Sequence, residues 1–371
     1  MPVSDLSALN AQVLGAAFTL SFIFGAITQR THFCTMGAVS DVVNMGDWTR
    51  MRQWALAMGV AMMGFAAMVY SGFIDPAKTI HGGHRWLWLS ALVGGLLFGF
   101  GMVLASGCGS KSLVRLGGGS LKSLVVVLVM GLAAFATLKG VTAVVRVATV
   151  DQVAVEFSTI ANLPHLAAAA LGLKPAITAL VLGLALGGAL VVWALSGAEF
   201  CRVDNLVAGL GIGAIIVAMW WVSGYWGYVP EHPELLNDVF LATNSGRAEA
   251  MSFVAPLAYT LDWLLFFSDT SKVLTIGVVS VFGVVAGSTV LALWGRTFRW
   301  EGFGGKEDLA NHLAGGALMG LGGVTAVGCT IGQGLTGVST LSATSFVALA
   351  AILAGAAAAL KYQMWRLEHT A

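Results

Sequence analysis

The chain has 371 residues, of which 57% are hydrophobic and 10% charged, with a mean hydropathy of +0.85. A soluble domain carries roughly 25% charged residues, so this composition excludes a water-soluble globule and a disordered chain. The net charge of +1 gives no basic footprint and excludes a DNA- or RNA-binding protein. What remains is an all-α, polytopic helical membrane protein with the lipid bilayer as its main surroundings. Glycine is in excess, at 48 residues, which suits close helix approach within a bilayer.

A bilayer core about 30 Å thick takes about 20 apolar residues as a helix. Nine stretches fit, at roughly 11–28, 54–74, 87–105, 121–145, 175–195, 205–227, 273–294, 310–327 and 344–362. The N-terminal residues lack a basic n-region, so the first stretch is expected to be a retained span and not a cleaved signal. Residues 253–267 are apolar but short and contain Pro256 and Asp262; an interfacial or re-entrant segment is expected there. With nine crossings and the N-terminus outside, twelve of the 19 basic residues fall on the inner side, among them Arg30, Arg50, Lys111, Arg115 and Arg366. That matches the positive-inside tendency and puts the C-terminus inside. The acidic group Glu231, Glu234, Asp238 and Glu249 then faces outward.

Two segments resemble each other: GFGMVLASGCGSKSLVRLGGG (99–119) and GLGGVTAVGCTIGQGLTG (320–337). Aligned on Cys108 and Cys329, both run from an apolar span into Gly-Cys and then into glycine and small polar residues. A weaker pair is Phe33-Cys34 and Phe200-Cys201. The chain therefore reads as one membrane domain (1–371) of two halves, 1–150 and 165–371, the second enlarged by residues 228–272. Five spans separate the starts of the two Gly-Cys units. An odd number means entry from opposite faces, an inverted repeat that places a site near the midplane. Broken backbone at that depth must be covered by protein or line a wet cavity. Gly107-Cys108-Gly109 and Gly328-Cys329-Thr330 are the candidate breaks; close packing alone is the plainer reading of such glycines.

A half-helix N-terminus offers free N–H groups and a partial positive charge, which suits an anion. Cys34, Cys108 and Cys329 each precede a sequence that could start such a half-helix. Thr35, Ser110, Ser112, Thr330 and Gln333 add neutral donors, and Lys111 and Arg115 could draw anions to one mouth. A basic loop is equally what the charge rule produces without a ligand. A thiol is a weak donor and a soft group, suited to a ligand with soft sulfur. The thiol form would accept an anion, whereas a covalent sulfur relay would need the thiolate. Cys201 is a secondary candidate. Asp41 is either functional or an interfacial partner of Arg30. No CxxC, HExxH or Ser-His-Asp pattern occurs, so no metal site, cofactor or enzymatic activity is expected.

The segments QRTHFCTMGAVSD (29–41), GMVLASGCGSKSLVRLGGGSLKSL (101–124), FCRVDNLVAG (200–209) and LMGLGGVTAVGCTIGQGLTGVSTLS (318–342) resemble the YeeE/YedE family of sulfur-transport membrane proteins. The resemblance implies a bacterial inner-membrane importer of thiosulfate or a related sulfur anion. It implies an hourglass whose re-entrant helices meet at a cysteine-lined constriction, with Cys34, Cys108 and Cys329 as the path-lining thiols. It also implies a possible cytoplasmic sulfur-carrier protein as partner. The expected function is uptake by successive weak contacts with S–H and half-helix N–H groups. The alternatives are a covalent sulfane-sulfur relay and a sulfur-sensing membrane protein.

Overall fold

A computed structural model describes residues 3–233 and 236–370; Glu234, of the acidic group, lies outside them. The chain is a helical membrane bundle. Eight helical stretches among the described residues are long and apolar enough to cross a bilayer. They contain α1 (Val3–Thr31), α3 (Thr49–Tyr70), α4 (Trp88–Leu104), α6 (Leu121–Lys139), α9 (Pro175–Leu195), α13 (Ile276–Trp294) and α15 (Ala343–Thr370). The eighth, 203–226, strings α10 (Val203–Leu206) and α11 (Ile212–Trp221) together with the π turns Val207–Gly211 and Val222–Trp226. The expected span at 310–327 falls on α14 (Lys306–Thr325), which is 20 residues long but less apolar than the eight. Its first turns carry Lys306, Glu307, Asp308, Asn311 and His312.

Shorter helices complete the fold. They are α2 (Thr35–Met45), α5 (Gly109–Gly117), α7 (Val141–Ala148), α8 (Leu163–Leu171) and α12 (Val254–Leu265). The apolar segment at 253–267 is thus a 12-residue helix, which at 1.5 Å per residue is too short to span. Among the described residues strand is confined to two short antiparallel pairs, β1 (Arg85–Trp86) with β2 (Val155–Glu156) and β3 (Tyr228–Val229) with β4 (Val239–Phe240).

Glycines set the central packing. On α4, a Cβ at Gly94 would lie 2.7 Å from the Gly322 carbonyl oxygen, and one at Gly101 would lie 2.7 Å from that of Gly315. A Cβ on Gly322 or Gly315 would meet the carbonyls of Gly94 or Gly101 just as closely, at 2.6 Å. Backbone thus touches backbone, the route by which helices associate where no hydrophobic effect separates protein from lipid. These pairings run antiparallel. The helix α1 instead packs along α13 in the same direction, and 203–226 packs likewise along α3, with Gly209 against Leu56 and Gly213 against Val60.

Ion pairs sort the chain ends into two groups. One end gathers Arg30–Asp204, Arg115–Glu301, Lys122–Asp308 and Arg366–Glu307. The other gathers Lys78–Asp238, Arg85–Glu156 and Lys272–Asp262. We call the first the basic end. Arg30 pairs with Asp204, and Asp41 pairs with Arg50 at 3.0 Å in place of the expected Arg30.

Candidate functional site

The helices α4 and α14 stop in the same way. The Gly107 N–H bonds to the Met102 carbonyl at 2.8 Å and Ser106 N–H to Val103 at 3.1 Å. In α14, Gly328 N–H bonds to Gly323 at 2.8 Å and Val327 N–H to Val324 at 3.0 Å. Both are Schellman ends, whose turning residue adopts the left-handed conformation and is usually glycine. Here it is Ser106 (φ 56°) and Val327 (φ 59°). A β-branched residue at positive φ is uncommon and costs about 1–3 kcal/mol, a strain that concentrates at functional sites.

Each break leads straight into a cysteine that opens a short helix. Cys34 is the N-cap of α2 and its Sγ accepts from Gly37 N–H at 3.5 Å. Cys108 is the N-cap of α5, with its Sγ 3.3 Å from Ser110 Oγ and the Lys111 N–H facing the sulfur. Cys329 Sγ accepts from Gly332 N–H at 3.4 Å, at the head of a helical segment that contains the π turn Gly332–Gly337. A side-chain acceptor at this position satisfies one of the orphan donors of a helix start. Three half-helix N-termini, each with its partial positive charge, therefore carry a sulfur atom apiece.

The structure brings these sulfurs together. The Cys34 and Cys108 thiols are neighbours, the Thr330 hydroxyl adjoins Cys108, and Cys108 and Cys329 lie within electrostatic range. All three cysteines are buried, at 5%, 1% and 0% exposure. Thr35 Oγ1 and Thr330 Oγ1 are also buried, and neither completes a hydrogen bond with another described group. Such groups usually find a partner, and these two each follow a buried cysteine directly in the chain. Lys111 lies within electrostatic range of Cys34 and Cys108.

Other candidates brace the breaks. Arg115 Nη1 donates to the Ser106 carbonyl at 3.1 Å and pairs with Glu301. Gln333 Nε2 donates to the Ala326 carbonyl at 2.7 Å, while its Oε1 accepts from Ser345 Oγ. Gly107 packs on the Lys111 stem, Gly109 beside Met130, and Gly328 between the Gln333 side chain and the Gly332 backbone. Cys201 stands apart. It is exposed, its Sγ lies 3.8 Å from the Leu195 carbonyl, and no half-helix carries it toward the other three.

A cavity of about 190 Å³ opens at the end opposite the basic one. Gly328, Gly332 and Thr336 form its floor, just above Cys329; His81, Arg146, Glu249 and Tyr259 stand in its walls. Burial holds the His81 imidazole down to about 4, so it is neutral, and raises the Glu249 carboxyl to about 7. Beyond this lining Cys329, Cys108 and Cys34 are buried.

Sequence reasoning did not single out Arg50, Phe253, His81 or Glu249 as site residues. Arg50 Nη1 lies so close over Gly37 that a Cβ there would sit 2.2 Å away, which places a cation on the first turn of α2 beside Cys34. Phe253 caps α12 and its N–H faces the Cys329 sulfur. Only an arginine on a short loop and a phenylalanine before an apolar run were visible, and neither pattern is distinctive.

Comparison with known proteins gives a consistent picture. Residues 30–358 match a family described as sulphur transport. The chain is 25% identical over 354 residues to the thiosulfate transporter TsuA of Escherichia coli (strain K12), covering 90% of each chain. It is 27% identical over 341 residues to the thiosulfate transporter TsuA of Spirochaeta thermophila, covering 89% of this chain and 92% of that one. A stretch of 103 residues is 33% identical to the probable transporter YedE of Escherichia coli, covering 28% and 24%.

Proposed function

The chain belongs to the sulphur-transport family, and we propose that within it this protein takes up thiosulfate or a closely related sulfur oxyanion across the bacterial inner membrane. The relatives matched over nine-tenths of the chain are named for thiosulfate. The observation that carries the reading is the convergence of Cys34, Cys108 and Cys329, each at the N-terminus of a short buried helix, with the buried Thr35 and Thr330 hydroxyls following Cys34 and Cys329. An oxyanion with a terminal sulfur is matched by N–H dipoles for its charge and by soft S–H donors for its sulfur. Several weak sites in series let an ion enter without being trapped.

The packing supports an inverted repeat, with a correction to its register. We infer that α1 to α6 (3–139) repeat as 203–226, α12, α13, α14, the segment after Cys329, and α15. The parallel pair α1/α13 then has its mate in 203–226/α3, and the pair α4/α15 in α14/α6. In this scheme α9 stands outside the repeat, and the mate of α2 is α12, so Phe253 and not Cys201 answers to Cys34. The antiparallel pair α4 and α14 brings its two breaks in from opposite faces, as an importer with one midplane site requires. By the charge rule the basic end is cytoplasmic. The path then runs from the outer cavity past Cys329 and Cys108 to Cys34, Lys111 and Arg50, where a cytoplasmic sulfur carrier would collect the anion. Opening requires a shift of the half-helices, for which the π turn Gly332–Gly337 and the strained Val327 are suited.

A covalent relay is favoured by one feature, the contact of Cys34 with Cys108. Reconstituted protein separates the readings. Hydrogen-bonded passage predicts saturable entry of thiosulfate into liposomes and partial retention in Cys108→Ser. A relay predicts a labile sulfur adduct and complete loss in the serine variant. Liposomes that stay impermeable to thiosulfate, on a protein that forms no sulfur adduct, contradict both.

A further inference from the structure

We infer that Glu249 is a proton-operated gate in the wall of the outer cavity, so that a sulfur oxyanion enters only past its neutral carboxyl. This rests on the transport reading and adds to it the control of entry. Glu249 belongs to the 227–253 loop and lines the cavity whose floor, Gly328 and Gly332, covers Cys329. An anion that reaches Cys329 by this route has to pass the carboxyl.

The surroundings leave that carboxyl without a counter-ion. Its Oε2 accepts from Ser245 Oγ at 3.1 Å, and the Asn244 backbone adds a second hydrogen bond. Among the described residues no cation pairs with it. At this end Lys78 is held by Asp238, Arg85 by Glu156 and Lys272 by Asp262. Arg247, on the same loop, turns its guanidinium to the Thr79 carbonyl. The groups that share the cavity are His81 from the 71–87 loop, Arg146 from α7 and Tyr259 from α12. His81 is neutral above about pH 4, Tyr259 is raised by burial, and the fixed charge of Arg146 faces Asp151 at 3.4 Å. Near neutral pH the one member of this wall that changes charge is therefore Glu249, neutral below about 7 and anionic above. The anionic form repels a dianion in a narrow, poorly hydrated space; the neutral form can donate a hydrogen bond to it.

The sign of the pH effect follows. Only the protonated fraction admits substrate, and above the carboxyl's pKa that fraction falls tenfold per pH unit. In proteoliposomes of the full chain, with the internal pH fixed, the apparent KM for thiosulfate is expected to be flat at acid external pH. It should then climb about tenfold per unit above about pH 7. Glu249→Gln, which keeps the shape and a donor, should hold KM flat across the range. Ser245→Ala removes a donor to the charged form and should move the bend to higher pH. The inference is overturned if wild-type KM is flat from about pH 5.5 to about pH 8.5, if Glu249→Gln keeps the wild-type slope, or if Ser245→Ala leaves the bend in place. Absence of thiosulfate uptake at every pH would instead overturn the transport reading itself, and the gate with it.

Discussion

Lys111 and Gly332 stand in the same place, each three residues past a cysteine that opens a short helix, and only one of them carries a side chain. The difference makes the two ends of the molecule unlike around these cysteines. Lys111 gives the basic end a cation within electrostatic range of Cys34 and Cys108, and Arg50 and Arg115 lie within range of Lys111 itself. Gly332 leaves room at the other end, where it forms part of the cavity floor.

Gly332 is therefore intolerant of a side chain. A Cβ there would sit 2.6 Å from Ser252 Oγ and 3.1 Å from Ser252 Cβ. Gly332→Ala is expected to narrow the cavity and lower thiosulfate uptake several-fold, and adding Ser252→Gly should restore much of the loss. An alanine variant with wild-type uptake would show that the path does not pass this floor.

The contact of Cys34 with Cys108 gives a second expectation. A membrane-permeant thiol oxidant should join them, forming one S–S bond as the oxidant takes up two electrons. Mass spectrometry would then find a Cys34–Cys108 cross-linked peptide. Uptake should stop and return on reduction with dithiothreitol, while Cys201→Ser, at an exposed thiol outside the cluster, leaves this response unchanged.

Gln333 and Arg115 are expected to act on stability. Gln333→Leu orphans the buried Ala326 carbonyl and Ser345 hydroxyl, at a cost of about 1–3 kcal/mol. Arg115→Gln loses a half-exposed brace and a screened pair with Glu301, at about 1 kcal/mol or less. Thermal unfolding in detergent checks both. Lys111→Gln should do the reverse, leaving the unfolding midpoint near wild type while slowing uptake.

The membrane class, the spans and the two Gly-Cys breaks were legible because each is a local pattern. Apolar runs of fixed length meet a bilayer of fixed thickness, and the Cys108 and Cys329 units share Gly99/Gly320, Gly101/Gly322, Gly107/Gly328 and the cysteines themselves. Of the nine expected spans, 310–327 is the least apolar, because the first turns of α14 carry Lys306, Glu307, Asp308, Asn311 and His312. What stayed hidden was long-range. Phe200-Cys201 looks like Phe33-Cys34 in sequence, yet the packing of α12 against α6, α13 and α14 matches that of α2 against α15, α3 and α4. That correspondence exists only in three dimensions. Arg50 was legible as a positive-inside charge, but not as a cation folded over Gly37. Glu249 was read as one of an acidic group, and nothing local shows that it has no cation beside it.

The most direct measurement is entry of radiolabelled thiosulfate into proteoliposomes that carry wild-type protein or Cys329→Ala, the thiol beneath the cavity floor. The account predicts saturable entry with wild type, competition by other sulfur oxyanions that bear a terminal sulfur, and a loss of about tenfold or more in the variant. Equal entry through both proteins, with the variant correctly folded, would contradict it.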